Sequence, residues 1–300
     1  MRDYIRLLRV KHWIKNMFVL IPLIFSKKFL LADQLFEGLL ASGLVFVLFC
    51  LGSSFSYIIN DIVDRKKDRE HPVKKSRPLA SGKVSVRTAG ILAGGVLAIC
   101  IAAVLFTDIR VMIAFGCYIL LILSYSFFLK HFVIADVIVI AVGFIIRIIA
   151  GALAIDVGVS NWLLLSALFL SLFLGFGKRR HDLLLLENKT AHRPVLDHYT
   201  VPLLDSLITV SVALVIITYS LYTLSEDTAE RFNTSYLIYT VPLVVFGIFR
   251  YLYILYKKEG GGDPADIVLC DKSIVIVVAL WGLLIIGILF LGSIGYGRLF

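Results

Sequence analysis

Nine segments of about 20 mostly apolar residues are spaced along the chain, and they constrain its fold more than any other feature. A stretch of this length crosses the hydrocarbon core of a bilayer as an α-helix, which satisfies every backbone hydrogen bond internally. The sequence therefore predicts an all-α polytopic membrane protein with nine transmembrane helices. The predicted segments are residues 13–31, 37–59, 86–106, 109–128, 133–154, 159–177, 203–224, 235–256 and 273–291.

The composition excludes the other broad classes of protein. Hydrophobic residues make up 59% of the 300 residues, charged residues only 17%, and the mean hydropathy is +0.93, which excludes a soluble or disordered chain. Four cysteines are too few for a disulfide scaffold, and the segments do not alternate as those of a β-barrel do. Because further apolar segments follow the first, we expect no removable signal peptide and predict one integral membrane domain over residues 1–300.

Lysine and arginine are distributed unevenly between the predicted loops. With the N-terminus placed inside, 23 of the 30 Lys and Arg residues flank the inner side, five flank the outer side and two lie within helices. The positive-inside rule then predicts a multi-pass protein of the cell (inner) membrane, with a cytoplasmic N-terminus and an external C-terminus. The two longest polar loops, residues 60–85 and 178–202, face the cytoplasm in this topology. The net charge of +9 suits anionic membrane lipids, and no feature resembles a nucleic-acid-binding domain.

Three aspartates stand at helical spacing where the second predicted helix ends. Asp61, Asp64 and Asp68 belong to an N-D-x-x-D-x-x-x-D pattern that starts at Asn60, and offsets of three and four place them on one helix face. Stacked carboxylates repel one another, and Mg²⁺ prefers such oxygen ligands together with phosphate oxygens. The pattern therefore favours a magnesium site at the cytoplasmic mouth. The alternative is a solvated helix end whose acids pair with the neighbouring cations at residues 65–69.

The loop that follows carries prolines and cations. Residues 71–82 include Lys74 and Arg77, and both side chains can bind phosphate oxygens, arginine in bidentate fashion. Taken alone, the loop is equally consistent with an ordinary cytoplasmic loop that obeys the positive-inside rule. Its position beside the three aspartates favours a phosphate-binding role for Lys74 and Arg77.

One arginine lies well inside an apolar segment. Arg147 falls in the fifth predicted helix, where an unpaired charge is costly, so it must face a partner or a cavity. Asp136 lies eleven residues earlier, about three turns, and therefore on roughly the same helix face. Arg147 thus either receives an anionic substrate or forms a structural ion pair with another helix, and the sequence favours neither interpretation.

The motifs around the three aspartates resemble those of a known superfamily. The pattern from Asn60 to Asp68, followed by Arg77-Pro78-Leu79 and Gly82, is similar to the first signature of the UbiA-type intramembrane prenyltransferases. This resemblance implies a nine-helix bundle around a central cavity that opens to the cytoplasm, with Mg²⁺ bridging the aspartates and a diphosphate. Within the superfamily, the chain most resembles the decaprenyl-phosphate phosphoribosyltransferases. The similar stretches are Arg9 to Asn16, His71-Pro72 with Lys74 and Arg77, Tyr125 to His131, Gly143 to Arg147, and Gly177 to Arg180.

Two departures from the superfamily pattern are informative. Members that couple an isoprenoid diphosphate to an aromatic acceptor carry a second D-x-x-x-D motif after the sixth helix, whereas residues 177–187 here read GKRRHDLLLLE. Tyr125 and Lys130 are five residues apart, one more than in the superfamily's Tyr-x-x-x-Lys pattern. The resemblance implies that Lys178 and Arg179 receive an additional phosphate, such as the 5-phosphate of phosphoribosyl pyrophosphate.

The resemblance also implies a reaction: transfer of 5-phosphoribose from phosphoribosyl pyrophosphate to a polyprenyl phosphate, with Mg²⁺ as cofactor, to make a cell-envelope glycan precursor. Prenyl transfer to an aromatic acceptor is the alternative within the superfamily, and a transporter or lipid flippase is the alternative outside enzymes. The oligomeric state is open. The predicted catalytic residues are Asp61, Asp64, Asp68 and Asp182, the first three as metal ligands. The predicted substrate-binding residues are Lys15, Asn16, Asn60, Lys74, Arg77, Tyr125, Lys130, Arg147, Lys178 and Arg179.

Overall fold

The regular secondary structure is helical throughout the part of the chain that the computed structural model describes, residues 2–26, 32–70, 74–186, 194–257 and 264–294. The end of the first predicted segment, His71-Pro72 and residues 187–193 of the second polar loop lie outside these residues. No strand occurs in the described part, in agreement with the all-α prediction. The α-helices are α1 (Arg2–Leu8), α2 (Ile21–Ile24), α3 (Ala32–Val63), α4 (Arg65–Glu70), α5 (Val86–Val104), α6 (Ile109–Phe127), α7 (Ala135–Ala154), α8 (Asn161–Leu186), α9 (Val201–Leu224), α10 (Glu226–Phe232), α11 (Val241–Lys257), α12 (Pro264–Cys270) and α13 (Lys272–Ser293).

Within the described residues, eight helical stretches are long and apolar enough to cross a membrane, which makes the chain a multi-pass membrane protein. They match the second to ninth predicted segments, so those eight predictions are confirmed. Their bounds are Gln34–Val63, Val86–Val104, Ile109–Phe127, Ala135–Ala154, Asn161–Leu184, Val201–Leu224, Tyr236–Lys257 and Lys272–Ser293.

The first predicted segment, residues 13–31, is not a long α-helix in its described part. It forms most of a 3-10 helix over Val10–Leu20, followed by α2, and polar side chains interrupt its apolar surface. Asn16 is fully buried, and Gly151 of α7 lies so close that a Cβ there would collide with the Val19 carbonyl oxygen. The segment therefore packs against protein, which apolar length alone does not reveal, and the count of nine helices is not confirmed.

The chain divides into two compact units, and unit 1 contains α3 from Leu39 onward and α4 to α7. Its core is built from buried aromatic and aliphatic side chains: the ring centroid of Phe49 lies 5.4 Å from that of Phe115 and 4.9 Å from that of Tyr118. Gly52 of α3 allows this packing, because a Cβ there would lie 2.7 Å from the Phe115 ring. Unit 1 comprises Met1–Pro22, Leu39–Val157 and Leu186–Tyr199.

Helical hydrogen bonds continue across the junction between α3 and α4. The Asp64 amide donates to the Asn60 carbonyl at 2.8 Å, and the Asp68 amide donates to the Asp64 carbonyl at 2.8 Å. The predicted extension of the second helix through the aspartates is therefore confirmed in its backbone. This continuity places all three carboxylates at the end of one long helical element.

A short connection joins α5 to α6, as the sequence predicted. Asp108 caps α6 by accepting a hydrogen bond from the Arg110 amide at 2.7 Å, and the Arg110 side chain bonds the same carboxylate at 2.9 Å. These hydrogen bonds hold the pKa of the Asp108 carboxyl below its ordinary value. Arg110 also pairs with Asp156, just beyond α7, so it ties α6 to the end of the next helix.

Unit 2 is a second helical assembly around α8, α9, α11 and α13. The Phe173 ring of α8 packs against Tyr251 of α11 with centroids 5.1 Å apart, and Gly177 lies against Leu255. On α9, the Tyr219 hydroxyl accepts a hydrogen bond from the Trp281 indole at 2.8 Å, which links α9 to α13. Unit 2 comprises Leu23–Gly38, Gly158–Leu185 and Thr200–Phe300.

Candidate active site

The predicted metal ligands lie at the α3–α4 junction of unit 1, and two of them share one cation. Asp61 is 2% exposed and accepts hydrogen bonds from Arg9 and from Arg77, whose Nη1 lies 3.0 Å from Asp61 Oδ1. The same Nη1 lies 2.6 Å from Oδ2 of Asp68, which is 5% exposed. Two buried carboxylates therefore converge on the Arg77 guanidinium, which compensates charges that could not be buried alone.

Asp64 faces a different cation. Its Oδ1 lies 2.6 Å from Nζ of Lys130, which belongs to the 3-10 turn Leu129–His131 between α6 and α7. The Lys130 and Asp64 side chains are 10% and 16% exposed, so this pair is largely shielded from water. The three aspartates thus pair with three cations, and Asp64 shares none of them with Asp61 and Asp68, although all three acids lie at the end of one helical element.

The donor set fits a divalent cation at two of the three carboxylates. Asp61 and Asp68 converge on a position that a cationic nitrogen of Arg77 takes, and both offer oxygen ligands. Mg²⁺ is commonly held by one or two carboxylates and completes its shell with water and phosphate oxygens. No group of three or more His, Cys, Asp or Glu side chains is arranged to hold a metal ion within the described ranges. A metal site formed by Asp61, Asp64 and Asp68 together stays a prediction.

The loop after α4 positions Arg77. The Arg77 amide donates to the Lys74 carbonyl at 2.9 Å, and the loop closes on buried Leu79. Arg65 and Arg69 hold the loop from α4, because they donate to the Leu79 and Ala80 carbonyls at 3.3 and 3.1 Å. These two arginines therefore bond the loop backbone, and the aspartates take their cations from elsewhere in the chain.

Arg9 is a site residue that sequence reasoning missed. Its backbone is left-handed, with φ 51° and ψ 45°, between α1 and the 3-10 helix, and its guanidinium pairs with Asp61 and lies 4.8 Å above the Tyr57 ring. The sequence marks Arg9 only as one of several N-terminal cations in a stretch similar to the superfamily. Because Arg9 and Asp61 are 52 residues apart, no local spacing in the sequence predicts their ion pair.

Four other predicted residues of unit 1 lie on the elements that flank this cluster. Asn60 occupies the last turn of α3, where its carbonyl accepts the Asp64 amide. Lys15 of the 3-10 helix, Lys74 of the loop and Tyr125 of α6 are half-buried, and each interacts with neighbouring groups. Their predicted contacts with substrate stay predictions.

Arg147 and Asn16 form a separate buried network in unit 1. Arg147 is 6% exposed and donates to Asn16 Oδ1 at 2.7 Å, to the Gly143 carbonyl at 2.8 Å and to the Tyr118 hydroxyl at 2.8 Å. All three acceptors are neutral, and Arg147 has no ion pair among the described residues. The structural interhelical ion pair, one of the two alternatives for Arg147, is therefore wrong, and Asp136 accepts a hydrogen bond from Tyr199. The other alternative for Arg147, contact with an anionic substrate, stays a prediction, as does the substrate contact predicted for Asn16.

The cationic stretch after Gly177 lies at the end of α8 in unit 2. Arg179 is 3% exposed and 3.6 Å from Asp182 one turn later. Arg180 donates to Asp205 of α9 at 2.6 Å, and its guanidinium lies 4.4 Å above the Tyr256 ring. Arg180 therefore forms a structural ion pair with Asp205. The residues predicted to bind phosphate are its neighbours Lys178 and Arg179.

The chain is similar to proteins of known activity over most of its length. The sequence profile of the UbiA prenyltransferase family matches residues 19–266. A decaprenyl-phosphate phosphoribosyltransferase of Corynebacterium glutamicum is 34% identical over 283 residues, which cover 92% of this chain and 83% of that protein. The enzyme of the same name from Mycolicibacterium smegmatis is 33% identical over 287 residues, which cover 92% of this chain and 89% of that protein.

A solved structure shares the fold. The UbiA homologue from Archaeoglobus fulgidus, bound to GPP and Mg²⁺, superimposes with a TM-score of 0.70 at 20% identity, covering 95% of this chain and 99% of that one. At this identity the similarity establishes the fold and carries nothing about the substrate.

Proposed function

Because the chain belongs to the UbiA prenyltransferase family, as its motifs predicted, we propose that it transfers 5-phosphoribose from phosphoribosyl pyrophosphate to a polyprenyl phosphate. The observation that carries this proposal is the similarity to two decaprenyl-phosphate phosphoribosyltransferases over 92% of the chain. The helix end at Lys178 to Arg180 supports it, because a cationic stretch stands where aromatic prenyltransferases have a second acidic motif. The product class is a precursor of cell-envelope glycans.

The proposed reaction needs little covalent chemistry from the protein. An oxygen of the acceptor phosphate forms a bond to ribose C1 while the bond from C1 to the pyrophosphate oxygen breaks, and pyrophosphate leaves with the electron pair. The acceptor phosphate is already anionic at neutral pH, so no general base is required. Catalysis then consists of positioning and of stabilising charge.

Asp61 and Asp68 are proposed to bind Mg²⁺. Asp64 lies on the same helical element and is paired with Lys130. When bound, the ion supplies positive charge to the departing pyrophosphate. Arg77 bonds both carboxylates, so its guanidinium would lie beside a phosphate bound at this position. Lys74 and Arg77 are therefore proposed to bind the pyrophosphate oxygens.

The other predicted residues take the remaining roles. Lys130, Lys178 and Arg179 bind the 5-phosphate or the acceptor phosphate, and Asn60 orients a ligand or a water molecule. Asp182, whose side chain is 29% exposed, stabilises positive charge that develops on the ribose ring. The substrate-binding role proposed for Lys15, Asn16, Tyr125 and Arg147 is to shape the part of the site that lies in unit 1 with the three aspartates.

One assay separates the proposed reaction from its alternatives. Purified protein with Mg²⁺, labelled phosphoribosyl pyrophosphate and a panel of polyprenyl phosphates should produce lipid-extractable label. Turnover of a polyprenyl diphosphate with an aromatic acid, without use of phosphoribosyl pyrophosphate, would instead establish aromatic prenyl transfer. A protein without turnover of either donor that moves a lipid across vesicles would be a transporter.

We also propose that the protein lies in the inner membrane as one domain. Its nine crossings surround a cavity that opens to the cytoplasm, and the N-terminus and the two polar loops lie on the cytoplasmic side. An 11-residue 3-10 helix rises roughly 22 Å and the four residues of α2 add roughly 6 Å, together close to a hydrocarbon thickness of about 30 Å. The family match through both units supports one domain.

Cysteine labelling tests this topology. In a chain without its four native cysteines, single cysteines at exposed Ser81 and Asp197 should resist an impermeant thiol reagent in intact cells, whereas one at exposed Asp227 should react. A cysteine at exposed Arg6 decides the number of crossings. With nine crossings it is protected like Ser81, and with eight it is labelled like Asp227.

A further inference from the structure

The turn between the 3-10 turn Leu129–His131 and α7 has an unusual backbone. Ile134 has φ 69° and ψ −47°, and the Ala135 amide donates to the Val133 carbonyl at 2.8 Å, so the chain reverses within three residues. A β-branched side chain rarely adopts positive φ, and such a residue persists only where its surroundings over-determine it. The turn therefore needs a partner that holds it.

Tyr199 is that partner. Its hydroxyl accepts a hydrogen bond from the Ile134 amide at 2.6 Å and donates to Oδ1 of Asp136 at 2.8 Å. Tyr199 is 3% exposed and Asp136 is fully buried, so both bonds are shielded from water. A single hydroxyl thus clamps the strained residue and the first turn of α7 together.

The segment that carries Tyr199 is itself docked in unit 1. Val195 and Leu196 are each 1% exposed, and the 3-10 turn Pro194–His198 contacts the turn Leu129–His131. The Tyr199 amide closes the segment by donating to the Leu196 carbonyl at 3.1 Å. The clamp is therefore anchored in the same unit as the residue it holds.

The clamped turn also carries a residue of the candidate site. Lys130 lies four residues before Ile134, and its Nζ is 2.6 Å from Asp64 Oδ1. The intervening backbone is tied back by the amides of His131 and Phe132, which donate to the Phe128 and Leu129 carbonyls. From this geometry we infer that Tyr199 is a positioning residue, which holds Lys130 on Asp64 through the Ile134 turn. Its effect on turnover rests on the proposed function, in which Lys130 binds a phosphate.

Removal of the hydroxyl alone tests the clamp. Tyr199→Phe keeps the buried ring but leaves the Ile134 amide without its acceptor, so the turn relaxes and Lys130 leaves Asp64. Labelling of Lys130 by an amine-reactive reagent, quantified by mass spectrometry, should then rise severalfold, while labelling of Lys178 stays constant. Asp136→Asn weakens the hydrogen bond from the Tyr199 hydroxyl but keeps the hydroxyl as acceptor for the Ile134 amide. It should therefore also raise the labelling of Lys130, by a smaller factor. Unchanged labelling of Lys130 in both variants would overturn the inference.

A double-mutant cycle links the clamp to the reaction. Tyr199→Phe should lower kcat roughly tenfold in the wild-type background and by no further factor in a Lys130→Met background, because it acts through Lys130. An equal loss in both backgrounds would mean a general structural role and overturn the positioning role. Tyr236→Phe is the matched control, since the buried Tyr236 hydroxyl has no hydrogen-bond partner among the described residues, and it should behave as wild type. Clamp-dependent labelling in a protein that transfers no phosphoribose would support the clamp and refute the proposed function.

Discussion

Two helix ends carry clusters of charged side chains, an acidic one at Asp61 to Asp68 and a basic one at Lys178 to Asp182. The two ends differ in where the partners that neutralise these charges come from. At the acidic end, two of the three paired cations come from distant parts of the sequence, 52 residues away for Arg9 and 66 for Lys130. At the basic end, Arg179 lies 3.6 Å from Asp182, which is one turn away on the same helix.

The two ends also differ in burial and in charge balance. Asp61 and Asp68 are almost fully buried, and Arg9, Arg77 and Lys130 balance the three aspartates one for one; the acids at the basic end, Asp182 and Asp205, have side chains 29% and 35% exposed. The ion pairs of the acidic end are therefore shielded from water more than those of the basic end, and in the proposed function the acidic end binds a cation and the basic end binds a phosphate.

The largest effect is expected at the acidic end. Asp68→Asn keeps the shape of the side chain but removes one of the two charges that converge on Arg77, and turnover should fall about 10²- to 10³-fold. The measurement is the initial rate of the purified variant at saturating Mg²⁺, beside its thermal unfolding in detergent. Exposed Asp227→Asn is the control and should keep full activity. A near-normal rate for Asp68→Asn would remove this carboxylate from the reaction and break the contrast between the two ends.

A smaller effect, on donor affinity, is expected at the basic end. Lys178→Gln should raise KM for phosphoribosyl pyrophosphate roughly ten- to a hundredfold, since a charge-assisted phosphate contact contributes about 1.5–3 kcal/mol. Steady-state kinetics with varied donor at saturating polyprenyl phosphate measure it. If KM stays constant while the melting temperature falls, the basic end serves stability and holds no phosphate.

The smallest effect is expected for the neighbouring arginine. Arg180→Gln loses its bond to Asp205 and its contact with Tyr256, and a partly exposed ion pair of this kind contributes at most about 1 kcal/mol. The melting temperature should therefore drop by about 2–4 °C, with KM for the donor unchanged. A KM increase equal to that of Lys178→Gln would show that Arg180 also reaches the donor.

Local patterns predicted much of this protein. Eight spans follow from apolar length, and the superfamily follows from Asn60 to Asp68 with Arg77. The same criterion did not settle residues 13–31, where Asn16 and Val19 are packed against protein and a ninth span is not confirmed. Length and hydropathy report that a segment avoids water, and they do not tell protein from lipid on its other side.

Long-range pairing was the other limit. No spacing in the sequence joins Arg9 to Asp61, Lys130 to Asp64 or Tyr199 to Ile134, because each contact is made only when separate elements pack together. The predicted interhelical ion pair of Arg147 failed for the same reason, because Tyr118 and Asn16 on other elements accept hydrogen bonds from the arginine.

The sequence by itself determined which residues are charged, which eight described helices are long and apolar enough to cross a membrane and which acids share a helical element, since these depend on composition and on period along one segment. The tertiary structure decided which cation neutralises each acid. A buried carboxylate pairs with the cation that packing brings within hydrogen-bond distance. One such partner of Asp61 is Arg9, which lies 52 residues earlier in the sequence.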